Sequence, residues 1–162
     1  MWFNRREQKP EDNHQIELAR DWARRHTPLI LTLIEASTQK AIGLLADDES
    51  DIAWDLRRHL ASANPHERPL CHPVIENIPD NALAPGMTKQ IGKKLFVRTD
   101  HMDLGYAHSD ITLGDIHIDP TFGQFFPESF GWTIKNHPKL FQNGILVAHE
   151  KEIEKAFHIH YE

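Results

Sequence analysis

Residues 108–121 read His108-Ser109-Asp110-Ile111-Thr112-Leu113-Gly114-Asp115-Ile116-His117-Ile118-Asp119-Pro120-Thr121. Apolar and polar residues alternate on both sides of Gly114-Asp115, a dipeptide placed where a tight hairpin turn belongs. Ala107–Leu113 and Asp115–Asp119 are therefore expected as antiparallel strands. Side chains alternate across a strand, so His117 and Asp119 share one face while Ile116 and Ile118 take the other. Pairing Ser109–Leu113 with Ile116–Pro120 brings His108 close to Asp119. A carboxylate beside an imidazole fixes its tautomer and stabilises the imidazolium, which is what a base activating a thiol requires. Pro120 then ends the strand and fixes the exit of Asp119.

Outward from this hairpin, the period of two continues in Leu95–Thr99 and in Ile145–Ala148, and a last strand holds His158, Ile159, His160 and Tyr161. A short helix is expected from about Glu150 to Ala156. Upstream the period is helical. Ile16, Leu18, Ala19, Trp22 and Ala23 recur on one stripe behind Asp12 or Asn13 as N-cap. Thr27-Pro28 reads as a second N-cap with proline at the first helical position, opening a helix whose stripe holds Leu29, Ile30, Leu33, Ile34, Ala41, Ile42, Leu44 and Leu45. The acidic turn Asp47-Asp48-Glu49-Ser50 ends it, and Ser50 caps a third helix running to about Ser62. Pro65, Pro69, Pro73, Pro79 and Pro85 exclude a long element between Ala63 and Gly86 and predict a surface-following connection. Residues 1–11 read as a flexible tail, with Trp2 and Phe3 tucking onto the body, and 12–162 as a single α+β domain. Its expected architecture is a set of N-terminal helices packed on a C-terminal antiparallel sheet formed mainly after Lys93.

Composition narrows the function classes. The 162 residues suffice for one buried core without disulfide or metal staples. With 24 acidic against 18 basic residues the net charge is −6, which argues against a nucleic-acid surface built by bulk charge. Arg5, Arg6 and Lys9, and Arg24 and Arg25, are short basic groups that read as solvated faces. The longest apolar run, Pro28–Ile34, is far too short for a membrane span, and no leader pattern is read at the start. Cys71 is the only cysteine, so no intrachain disulfide can form. The expectation is a soluble protein of the cytoplasm, or an effector delivered without a leader peptide, acting on a protein substrate or partner and needing no cofactor. Of the twelve histidines, His14, His26, His59, His66, His137 and His149 sit in polar or loop-like surroundings and read as plain surface residues.

His108, ten intervening residues, Asp119-Pro120-Thr121 and then Gln124-Phe125 resemble the histidine and aspartate strands of bacterial papain-like and transglutaminase-like cysteine proteins, toxin and effector domains among them. The resemblance covers roughly 25 residues, and its specificity comes from the spacing, the Asp-Pro-Thr step and the Gln-Phe pair occurring together. It implies a papain/transglutaminase-like core and amide hydrolysis or acyl transfer by a peptidase, deamidase or transglutaminase-like effector. His108 would be the general base and Asp119 its orienting partner, while Gln124 and Phe125 would anchor the turn or meet substrate. In that superfamily the nucleophilic cysteine opens a core helix, where the dipole favours thiolate. The helix expected after Ser50 has no cysteine. Cys71, 37 residues before His108, could open a short helix through Cys71-His72-Pro73 and is the candidate nucleophile, with a structural thiol as the alternative reading. The sequence assigns no oxyanion donor, and nothing in it favours Gln90 over a backbone N–H.

Two other readings stand beside this one. A relative that has lost catalysis could use the fold for protein binding, immunity or assembly. Alternatively, Asp100, His101, Asp103, His108, His117, Asp119, His158 and His160 include enough imidazoles and carboxylates for Zn, Fe or Mn, with His101, His117, His158 and His160 as the imidazole ligands.

Overall fold

The computed structural model describes residues 10–162, with side chains described from Asn13 onward, so most of the expected tail, including Trp2 and Phe3, lies outside the described residues. The chain forms α1 (Pro10–Leu45), α2 (Asp51–Leu60), α3 (Cys71–Asn77), β1 (Met87–Arg98), β2 (Asp103–Leu113), β3 (Ile116–Asp119), α4 (Phe130–Asn136), β4 (Phe141–Gln142), β5 (Ile145–His149), α5 (Glu150–Phe157) and β6 (Ile159–Tyr161). The strands make one sheet in the order β4-β5-β3-β2-β1-β6, and every pairing is antiparallel. Among the described residues the architecture is α+β, with five α-helices and a six-stranded sheet. Among the described residues no helix is long and apolar enough to cross a membrane.

Where two helices were expected to meet at Thr27-Pro28, a single helix runs through. Thr27 does not cap: its hydroxyl donates to the Ala23 carbonyl at 2.7 Å, as threonine does inside a helix. Proline here removes one ladder hydrogen bond and costs about 3 kcal/mol. The helix tolerates that cost because Ile16, Ala19, Trp22 and Ala23 before Pro28, and Ile30 and Ile34 after it, are buried along one stripe. Burial of an isoleucine stabilises by about 1.5–3 kcal/mol, so the two beyond Pro28 suffice to offset the proline. The start of α2 follows the sequence reading, with Ser50 accepting from the Ala53 N–H at 3.2 Å.

The proline-rich segment departs from expectation. It does not follow the surface: Leu70, Cys71, Val74, Ile75 and Ile78 are buried, and α3 packs on α1 and β2. The prolines permit this through their positions. Pro69 precedes α3, Pro79 follows it, and Pro73 sits in its first turn, where an N–H would have no intrahelical partner.

The sheet separates two cores. On one face Ile111, Leu113, Ile116, Ile118, Ile145 and Val147 pack with Trp22, Ile30 and Ile34 of α1 and Val74 and Ile75 of α3. On the other, Leu146 and Ala148 join Phe122, Phe130, Phe141, Ile153 and Phe157. The strict alternation of β5 between the two clusters is the period-two signal made physical. Gly114, at φ 59°, takes the first position of the β2–β3 turn, where a two-residue hairpin of type II′ calls for glycine.

Candidate active site

Cys71 is the first residue of α3 and is buried, with 8% exposure. Its Sγ lies 3.9 Å from the Gln124 amide nitrogen and 4.0 Å from His72 Nδ1. His72 is held in turn by Ser109, whose hydroxyl stands 2.8 Å from Nδ1 and accepts from the Gly92 N–H at 3.0 Å. Gly92, at φ 64°, is in the bulge where β1 shifts register against β2 between Gln90 and Lys93.

His108 on β2 and Asp119 on β3 meet as the hairpin reading expects, His108 Nε2 lying 2.5 Å from Asp119 Oδ2 with both side chains buried. The observed register pairs Ile111 with Ile118 and Thr112 with His117. One step further puts Asp119 opposite Asp110, so its bond to His108 is a diagonal one, within reach on a shared face. Asp119 Oδ1 also accepts from the Thr121 N–H at 3.0 Å, which fixes the carboxylate just before Pro120 turns the chain away. At the other edge of the ring, the Gln124 side-chain amide lies 2.9 Å from His108 Nδ1. The Phe125 ring packs edge-on against the imidazole at 5.0 Å between centroids.

Charge follows from this geometry. Burial pushes the Cys71 thiol up, but the nearby His108 imidazole, with His72 and the backbone of Ser109, outweighs it and brings the thiol from 9.0 down to about 7. Burial alone would lower His108, yet the Asp119 carboxylate, with help from Cys71, raises it well above 6.5. At neutral pH the pair therefore tends toward thiolate and imidazolium.

A second imidazole network shares this side of the sheet. His117 Nδ1 is 2.6 Å from Asp110 Oδ2, His117 Nε2 is 2.9 Å from Glu150 Oε1, and the ring stacks on Tyr161 at 3.9 Å. A cavity of about 280 Å³ lies beside His117, Asp110 and Tyr161. An open cleft of about 500 Å³ runs from Gln124 and Pro69 along Ile52, Asp55 and Leu56 of α2.

Several sequence readings change here. Gln124 does more than anchor a turn, because its amide touches both the thiol and the imidazole. Gln90 is not at the thiol; it donates to Thr112 Oγ1 at 3.1 Å. The imidazole set His101, His117, His158 and His160 does not assemble: among the described residues the grouping tight enough for an ion is His108, Asp110 and Asp119. Each of these three is already hydrogen-bonded within the protein. His158 is the left-handed C-cap of α5, outside β6, so it does not share a strand face with His160, which is exposed and lies 3.5 Å from Glu154. His66, read as a surface residue, is buried with Nδ1 2.6 Å from the Pro120 carbonyl, where it backs the turn that carries Asp119. His149, read the same way, is also buried and lies 3.0 Å from Asp115.

His72, Ser109 and the network of Asp110 and Glu150 escape the sequence reading. Only Asp110 carries a signal, since it alternates with His108 along β2. Comparison with protein families, curated proteins and solved structures gave no match.

Proposed function

We propose that this chain is a thiol-dependent amide hydrolase or acyl transferase, of peptidase, deamidase or transglutaminase-like type, with a papain-like catalytic arrangement. The observation that carries the reading is the placement of Cys71 at the start of α3 beside an imidazole held between Asp119 and Gln124. The Cys71 thiolate attacks the carbonyl carbon of an amide, and the carbonyl π electrons move to oxygen. As the tetrahedral adduct collapses, the C–N bond breaks and His108 gives its proton to the departing amine. A thioester remains on Cys71. Water, or an acceptor amine, then attacks this thioester while His108 takes the proton, the C–S bond breaks, and the Cys71 thiolate with protonated His108 is regenerated.

The oxyanion donors in this reading are Gln124 Nε2 and the backbone N–H groups that open α3, which lack intrahelical partners and carry the positive end of the helix dipole. Gln124 is suited to this because its amide nitrogen lies 3.9 Å from the Cys71 sulfur, and a protonated His108 Nδ1 leaves that N–H free for the oxyanion. Substrate would approach along the open cleft by α2, where Ile52 is 81% exposed. A large apolar side chain standing in water at the cleft favours a protein as substrate.

The test is labelling by an electrophile that carries an amide-mimicking recognition element, read by intact mass and peptide mapping. Modification at Cys71 that is lost in His108→Ala supports the reading. Absence of modification in the wild type, or equal modification in both, contradicts it and favours a non-catalytic, protein-binding role.

A further inference from the structure

Four ionisable side chains occupy one polar face where β2 meets β3, and they can pair in two ways. The observed scheme is diagonal, joining His108 to Asp119 and His117 to Asp110 across the strands. The alternative joins neighbours two apart on one strand, His108 with Asp110 and His117 with Asp119, which share a face by alternation. The His108–Asp110 pairing is within reach of a small side-chain movement, because one ligand atom each of His108, Asp110 and Asp119 lies within 4.8 Å of the other two. Asp110 is therefore a competitor of Asp119 for the same imidazole, and the two carboxylates stand opposite each other, where like charges are unfavourable.

We propose, on the basis of the thiol-dependent reading above, that His117 is a positioning residue: by engaging Asp110 it leaves Asp119 as the sole carboxylate partner of His108. The ring of His117 is itself fixed on three sides, by Asp110 on β2, by Glu150 at the start of α5, and by the Tyr161 ring of β6 stacked at 3.9 Å. Other charges bordering this region are Lys93 and Lys94 of β1 and the C-terminal Glu162, which line the adjoining cavity. On the far side of His108 stand Cys71 and His72. With His117 removed, two buried carboxylates close together cannot both stay ionised, and they share a proton. His108 then faces a pair carrying one charge between them in place of a fully ionised Asp119. Its imidazolium is less stabilised, and so is the thiolate that depends on it.

The experiment measures the rate of Cys71 alkylation by iodoacetamide against pH on the full chain, followed by intact mass, and needs no knowledge of the substrate. In His117→Gln the midpoint is expected to rise by about one unit, so the rate below the midpoint falls about tenfold. Adding Asp110→Asn to His117→Gln removes the competing carboxylate and is expected to restore the wild-type midpoint. A purely structural role for His117 predicts no such rescue. A wild-type midpoint like that of an ordinary thiol overturns the underlying thiol reading. A depressed wild-type midpoint that is unchanged in His117→Gln, or not restored in the double variant, overturns the positioning role alone. If His117→Gln does not fold, Glu150→Gln, at the partly exposed end of the network, is expected to raise the midpoint by a smaller amount. An unchanged midpoint there overturns the proposal.

Discussion

Asp119 is the residue on which the chemistry of the site turns, because its two oxygens do different work. Oδ2 meets His108 and Oδ1 accepts from Thr121, all of it buried. Asp119→Asn keeps the shape but removes the charge that raises His108. Alkylation of Cys71 at neutral pH should then fall by about tenfold or more, and removing one partner of a buried pair should cost about 3 kcal/mol in denaturant unfolding. A variant that keeps both rate and stability would show that Asp119 does not govern the imidazole. At this scale much was legible. The period-two pattern around Gly114-Asp115 is enough to place His108 by Asp119, since a hairpin register follows from turn length and alternation. The role of Gln124 was not, because a glutamine in a short turn carries no periodic signal to aim its side chain.

At the scale of the element, two backbone positions separate local rules from tertiary override. Pro28 reads as a helix start by every local rule, and the structure runs a helix through it because the buried stripe continues on both sides. Pro28→Ala should therefore stabilise the protein by about 1–3 kcal/mol in equilibrium unfolding, restoring an N–H for the Arg24 carbonyl. No gain would mean that α1 is kinked and capped there after all. Gly123 sits in the turn after β3, beside Gln124, where a Cβ would lie 2.5 Å from the Phe130 ring and 2.8 Å from the His66 carbonyl oxygen. Gly123→Ala is expected to destabilise by about 1–3 kcal/mol and to lower Cys71 reactivity as Gln124 is displaced. The short helices show where reading stops. In α3, seven residues with proline at the third give too few turns for a helical period, yet burial of Val74 and Ile75 and contact with β2 hold it in place. In α4 the same brevity hides an element anchored by Phe130 against Phe141.

At the scale of the whole molecule, the helices and the sheet share a core, and the site is built across that join. Cys71 comes from a helix in the N-terminal half, whereas His108, Asp119 and Gln124 come from the hairpin and the turn that follows it. Trp22 ties the parts together, buried in α1 with its indole N–H donating to the Ala82 carbonyl at 2.8 Å. Thermal unfolding followed by far-UV circular dichroism and by tryptophan fluorescence should give coincident transitions, and Trp22→Ala should lower both together by about 3–5 kcal/mol of stability. Separate transitions would mean that the helices and sheet fold apart. The α+β class was legible in the switch from helical to period-two patterning. The descent of the proline-rich segment into the core was not, because its prolines read as breakers until their places at helix ends are known.

The account stands most directly on the state of one sulfur. Because His108 and its neighbours bring the thiol to about 7 from 9.0, thiolate forms as pH rises through that value and is lost as pH falls below it. Alkylation of Cys71 by iodoacetamide should accordingly show a midpoint near 7 in the wild type, and His108→Ala should move it up toward the range of a buried, unassisted thiol. A wild-type midpoint at the ordinary thiol value of about 8.5 or above, or the same midpoint with and without His108, would contradict the account.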